Sequence, residues 1–122
     1  MEQQIHIMKR TLELSDTMGE ALNHIKTQIN EGHIENTIQL ANDTMTAFVS
    51  IIQSMKAFLE ELPANRIEIY TDTLVRSFDA LITAYEQQQT GKILEILQFN
   101  VLPAYKNWRM ELRKQLQPYI IS

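Results

Sequence analysis

The three histidines, His6, His24 and His33, are the first residues to test for chemistry, and their separation supplies no metal-ligand spacing. Glu20 and His24 stand four apart, which allows a surface pair. A di-iron carboxylate bundle instead needs Glu-x-x-His pairs projecting inward from facing helices, and that spacing occurs nowhere in the chain. Glu60 and Glu61 are adjacent, so a helix would point them to different faces and they make no general acid/base pair. There is no cysteine, no serine in a nucleophile elbow, and none of the three glycines belongs to a phosphate-cradling loop. The sequence therefore leads to the expectation of no catalysis, no metal site and no cofactor.

A cationic cluster carries more promise. Lys106, Arg109, Arg113 and Lys114 surround Trp108, and the first three share a helical face by the three-and-four rule. Four bases against Glu111 give +3 over residues 106–114; with a formal net charge of −4, the rest of the chain sums to −7. Two explanations compete. Cations near a helix C-terminus are favoured by the macrodipole, with Trp108 simply in the core. Alternatively, the cluster recognises an acidic partner segment, with Tyr105, Trp108, Arg109 and Tyr119 as contact residues. Four cations in an acidic protein are a weak electrostatic footprint, so neither nucleic acid nor a membrane surface is expected as partner.

The chain has 122 residues, 44% hydrophobic and 21% charged, which fits one domain over 1–122 and excludes a disordered polymer. Met1–Arg10 has no basic region leading into an apolar run, so no signal peptide is expected. Ala47–Ile52, the longest apolar patch, is far too short to span a bilayer. Absence of cysteine fits a reducing, cytoplasmic setting.

The elements that must position these residues follow from apolar spacing. A first helix is expected from about Ile5 to Glu31, with Ile5, Met8, Leu12, Met18, Leu22, Ile25 and Ile29 inward. Ser15-Asp-Thr17 and Gly19 mark a weak point, since Thr17 and Glu20 have capping-box spacing and the helix could restart there. Gly32-His33 ends it. Then Ile34, Ile38, Ala41, Met45, Phe48, Ile52, Met55, Leu59 and Leu62 alternate strictly between spacings of four and three. That seam predicts a single rod of about 42 Å at 1.5 Å per residue, the most buried element, flanked by Leu40, Ala47, Ile51 and Phe58. Pro63 stops it.

A third helix is expected over about Arg66–Gln88, with Ile67, Tyr70, Leu74, Phe78, Leu81 and Tyr85 inward and Asp72, Asp79 and Glu86 on a solvated edge. Gln87–Gly91 carries the turn. The fourth begins near Lys92, points Ile93, Leu97, Val101, Ala104, Trp108, Leu112 and Leu116 inward, kinks at Pro103 and closes at Pro118. Tyr119–Ser122 is left as an apolar tail, either folded back or open to a partner. Met8, Met18, Met45 and Met55 lie on core faces, where flexible side chains fill gaps or adapt to a bound helix.

Aligning Gly32 with Gly91 also aligns Ala21-Leu22 with Ala80-Leu81, Gln28 with Gln87 and Ile34 with Ile93, a faint repeat of two helical hairpins. The expected fold is thus all-α, an up-down-up-down four-helix bundle built from those hairpins. Three stretches extend the comparison. They are the turn Asn30-Glu-Gly-His-Ile-Glu35, the run Leu74-Val-Arg-Ser-Phe-Asp-Ala-Leu81 followed by Glu86-Gln-Gln-Gln-Thr-Gly91, and Leu102-Pro-Ala-Tyr-Lys-Asn-Trp108. In their order the chain resembles the small bacterial flagellar export chaperones of the flagellin-binding type, which also place a tryptophan in the last long helix. It is similar, too, to short helical proteins of spore-forming bacteria with no assigned activity. The resemblance implies a non-enzymatic cytosolic adaptor or chaperone that binds an amphipathic partner helix in an apolar groove. A self-associating structural bundle, a homodimer without separate ligand, is the alternative.

Overall fold

The computed structural model describes residues 2–120, and all regular structure among them is helical. Helix α1 covers Glu2–Asn30, α2 Ile38–Met55, α3 Ile67–Glu86, α4 Thr90–Ile96 and α5 Leu102–Ile120. Short 3-10 turns occupy Ile34–Thr37 and Leu59–Glu61, and a π-helical segment, Leu97–Val101, joins α4 to α5 into one interrupted rod. No helix among the described residues is long and apolar enough to cross a membrane.

Helix α1 passes through its weak point unbroken. The Ser15 hydroxyl donates to the Leu12 carbonyl (2.7 Å) and Thr17 to Glu13 (3.2 Å), so both bond back along the helix instead of capping a restart. Its buried stripe is Met8, Thr11, Ser15, Met18, Leu22, Ile25 and Ile29, a strict three-four seam in which two members are hydroxyl-bearing. Thr11 and Ser15 fit because each satisfies its own hydroxyl on a carbonyl of the preceding turn.

The rod expected over 34–62 is divided. Lys56, Ala57 and Phe58 donate to carbonyls three residues back, tightening the chain, and Phe58 departs from helical backbone at φ −133°. The heptad rhythm nevertheless continues across the break. Ala41, Thr44, Phe48, Ile51, Met55, Phe58 and Leu62 form the buried line. Ala41, Phe48, Met55 and Leu62 belong to the expected seam, whereas Met45, Ile52 and Leu59 are half-buried and Ile38 is 47% exposed. Every second knob is therefore one residue earlier than expected. One of them, Thr44, is polar and donates to the Leu40 carbonyl at 2.7 Å. Helix α2 touches α1 and α3 and presents Ala47 and Val49 to solvent.

A further buried line runs along α4, the π segment and α5, where Ile93, Leu97, Val101, Ala104, Trp108, Leu112 and Leu116 are all buried as expected. Helix α5 packs against both α1 and α3. Trp108 meets Phe48 of α2 edge-on, with ring centroids 5.2 Å apart, and Phe48 meets Phe78 of α3 at 5.6 Å. The kink expected at Pro103 takes the form of the π turn: a wider turn before the proline relieves the clash of its ring with the preceding carbonyls. Pro118 lies inside α5 rather than ending it.

Two of the interhelical turns, after α1 and after α3, share one motif. After α1, His33 N–H reaches Gln28 O (2.8 Å) and Gly32 N–H reaches Ile29 O (3.0 Å), with Gly32 at φ +85°. After α3, Gln89 N–H reaches Ala84 O (3.1 Å) and Gln88 N–H reaches Tyr85 O (3.0 Å), with Gln88 at φ +57°. Gly32 therefore corresponds to Gln88. Gly91 lies inside α4, so the repeat aligned on Gly91 does not match the geometry.

Candidate protein-binding face

Of the four residues singled out for partner contact, Trp108 is fully buried, its indole N–H without a hydrogen-bond partner among the described residues. Tyr105 is 8% exposed, and its hydroxyl donates to the Ser15 carbonyl of α1. This approach needs Gly19. A Cβ built there would run into the Tyr105 hydroxyl, with the ring carbon Cζ only 3.0 Å away. Burial pushes the Tyr105 phenol above its ordinary pKa, with the nearby Arg109 cation pulling the other way.

Arg109 is half-buried, and its Nε donates to Asp16 Oδ1 at 2.7 Å. Its Nη2 pairs with the same carboxylate, while Arg113 Nη2 approaches Asp16 Oδ2 at 3.7 Å. At this exposure the pairs contribute about 0.2–1 kcal/mol each, enough to align α5 on α1 without carrying the fold. Tyr119 is half-buried and packs with Ile120 against the core; Ile121 and Ser122 lie outside the described residues. The structure thus gathers Tyr105, Arg109, Asp16 and Gly19 at one α1/α5 seam and sends Trp108 to the interior.

Glu111, the single acid in the basic run, turns away from it. Its Oε2 accepts the Arg66 backbone N–H at 2.8 Å, and Asn65 Oδ1 accepts that of Ile67 at 2.9 Å. Together they satisfy donors at the start of α3 and place negative charge at its positive end.

What remains on the surface is a cationic, partly apolar strip. Between α1 and α5 lies a depression of about 490 Å³ floored by Leu102, Pro103 and Tyr105 and rimmed by Lys26, Lys106 and Arg109. A second, of about 790 Å³, is lined by Met110, Arg113, Lys114, Gln117 and Pro118. Met110 lines both and is 65% exposed; Phe99, one turn before Pro103, is 71% exposed. Neither lining contains a carboxylate. Asp16 and Glu20 stand beyond Arg109, in an adjoining hollow. Met110 and Phe99 were not among the expected contacts, although Met110 lies inside the basic run, two residues past the inward Trp108, and helical spacing alone puts it outside. Asp16 had no local signal, being 93 residues from Arg109.

Among the described residues no cluster of three or more histidine, aspartate or glutamate side chains could hold a metal ion. No curated protein matches this chain. No solved structure matches it either. The family description that does match, a domain of unknown function, spans residues 6–111, from the first turns of α1 into the basic run of α5. Because that span covers most of the chain, with α2, α3 and α4 whole and Asp16, Gly19, Tyr105 and Arg109 of the α1/α5 seam, the chain belongs to the DUF8042 family.

Proposed function

We propose that this protein is a non-enzymatic adaptor or chaperone of the cytoplasm that takes an amphipathic segment of another protein along α5. In this reading its helices alternate in direction as an up-down-up-down bundle, consistent with short connections at Gly32 and Gln88. The similarity to flagellar export chaperones points the same way. One observation carries the reading: two large apolar side chains, Phe99 and Met110, stand mostly in solvent on the same helical rod as a strip of cations. An apolar patch rimmed by charge is the usual signature of a protein contact.

Replacing Met110 with a photo-crosslinking residue tests this, with Ile69 on α3, 57% exposed, as the control site. In cells the Met110 position is expected to yield a discrete cross-linked protein and the Ile69 position none. No product from Met110, or the same products from both sites, would refute the adaptor reading.

A further inference from the structure

Resting on α5 as a docking face, we infer that its occupant is an acidic amphipathic helix, with carboxylates for the cations and apolar side chains for Phe99 and Met110. Phe99, Pro103, Lys106, Met110, Arg113 and Gln117 follow one another at spacings of three and four and are all exposed. The stripe runs about 27 Å at 1.5 Å per residue, which suits a partner helix of about 18 residues.

Charge decides the chemistry of the occupant. Lys26, Lys106, Arg109, Arg113 and Lys114 line the two depressions, whose linings contain no carboxylate; Asp16, from the adjoining hollow, pairs with Arg109 and Arg113 and leaves Lys26, Lys106 and Lys114 facing the strip. In a chain of formal charge −4, these five cations leave −9 on everything else. That surrounding charge repels an extended polyanion such as RNA or an anionic bilayer, but spares a short helix that stays within the strip. A second copy docked through the same face about a two-fold axis would bring two cationic strips together. The fold also contains a small version of the proposed contact: Asp16, carried on α1, engages Arg109 and Arg113 across a helix pair.

The experiment is selection of about 18-residue peptides from a displayed random library on the intact protein, followed by fluorescence anisotropy and sedimentation. Expected are peptides with Asp or Glu flanking apolar residues at helical spacing. Their binding should weaken at least tenfold with Lys106→Glu plus Arg113→Glu, several-fold with Met110→Ser, and as salt rises. Circular dichroism of each variant confirms that it is folded. Enrichment of basic or neutral peptides, or of none, overturns the inference. So does tighter binding of an RNA oligomer or of phosphatidylserine vesicles, and so does a dimer abolished by Met110→Ser. A protein cross-linked at Met110 alongside any of those results sinks the acidic chemistry alone; absence of the cross-link sinks the docking face itself.

Discussion

Gly19 of α1 lies against the Tyr105 side chain of α5, and its missing Cβ is what admits the Tyr105 hydroxyl to the Ser15 carbonyl. Elsewhere in a helix, glycine to alanine gains about 1 kcal/mol from propensity. Here the sign should reverse. Gly19→Ala is expected to destabilise the protein by about 1–3 kcal/mol, since a packed aromatic ring must move. Urea denaturation checks this, and adding Tyr105→Phe, which removes the closest atom, should recover part of the loss. A stabilised Gly19→Ala would show that the two helices do not meet in this way. Arg109 illustrates the same local logic: its two bonds to Asp16 leave it half-buried, so it contributes to alignment before it contributes to any partner.

At the scale of elements, the turns hold more information than the helices. The chain reverses after α1 on a glycine and after α3 on Gln88, which adopts the same left-handed backbone at φ +57°. That conformation costs an ordinary L-residue about 1–2 kcal/mol, partly offset in glycine by greater freedom in the unfolded chain. Gln88→Gly should therefore stabilise by about 0.5–1 kcal/mol, read as a higher urea midpoint with unchanged slope. A lower midpoint would contradict the turn assignment. The π segment is the other informative element. By widening the turn ahead of Pro103 it keeps Leu97, Val101, Ala104 and Trp108 on one buried line.

Across the whole molecule, two tyrosines tie distant segments together. Tyr105 joins α5 to α1, and Tyr85 of α3 shares a 2.7 Å hydrogen bond with Thr37 in the turn before α2. Burial raises both phenols above their ordinary pKa; Thr37 opposes the shift at Tyr85 and Arg109 at Tyr105. The folded protein then keeps protons that the unfolded chain loses above about pH 10. The stabilisation they bring is present below that pH and falls as pH rises through it towards the folded-state values. Urea midpoints measured from pH 8 to 11 should decline at the alkaline end, and less steeply in the Tyr85→Phe, Tyr105→Phe double variant. Equal slopes in the two proteins would remove the tyrosines from this role.

The helical nature of the chain, the position of Gly32 as a stop, and the inward line from Ile93 to Leu116 were legible in the residues alone, because periodicity and backbone restriction are local properties; the end of α2 at Met55, well before Pro63, was not. Which of two neighbouring stripes on α2 is buried was not. Thr44 or Met45, and Ile51 or Ile52, satisfy a heptad equally well, and only the positions of α1 and α3 choose between them. Trp108, surrounded by cations in the sequence, belongs to the core because Phe48 and Tyr105 close over it. The α1/α5 seam depends on Asp16 and Gly19 meeting residues some ninety positions away, a juxtaposition that no local pattern encodes. Burial is decided by neighbours in space, and those exist only once the chain has folded.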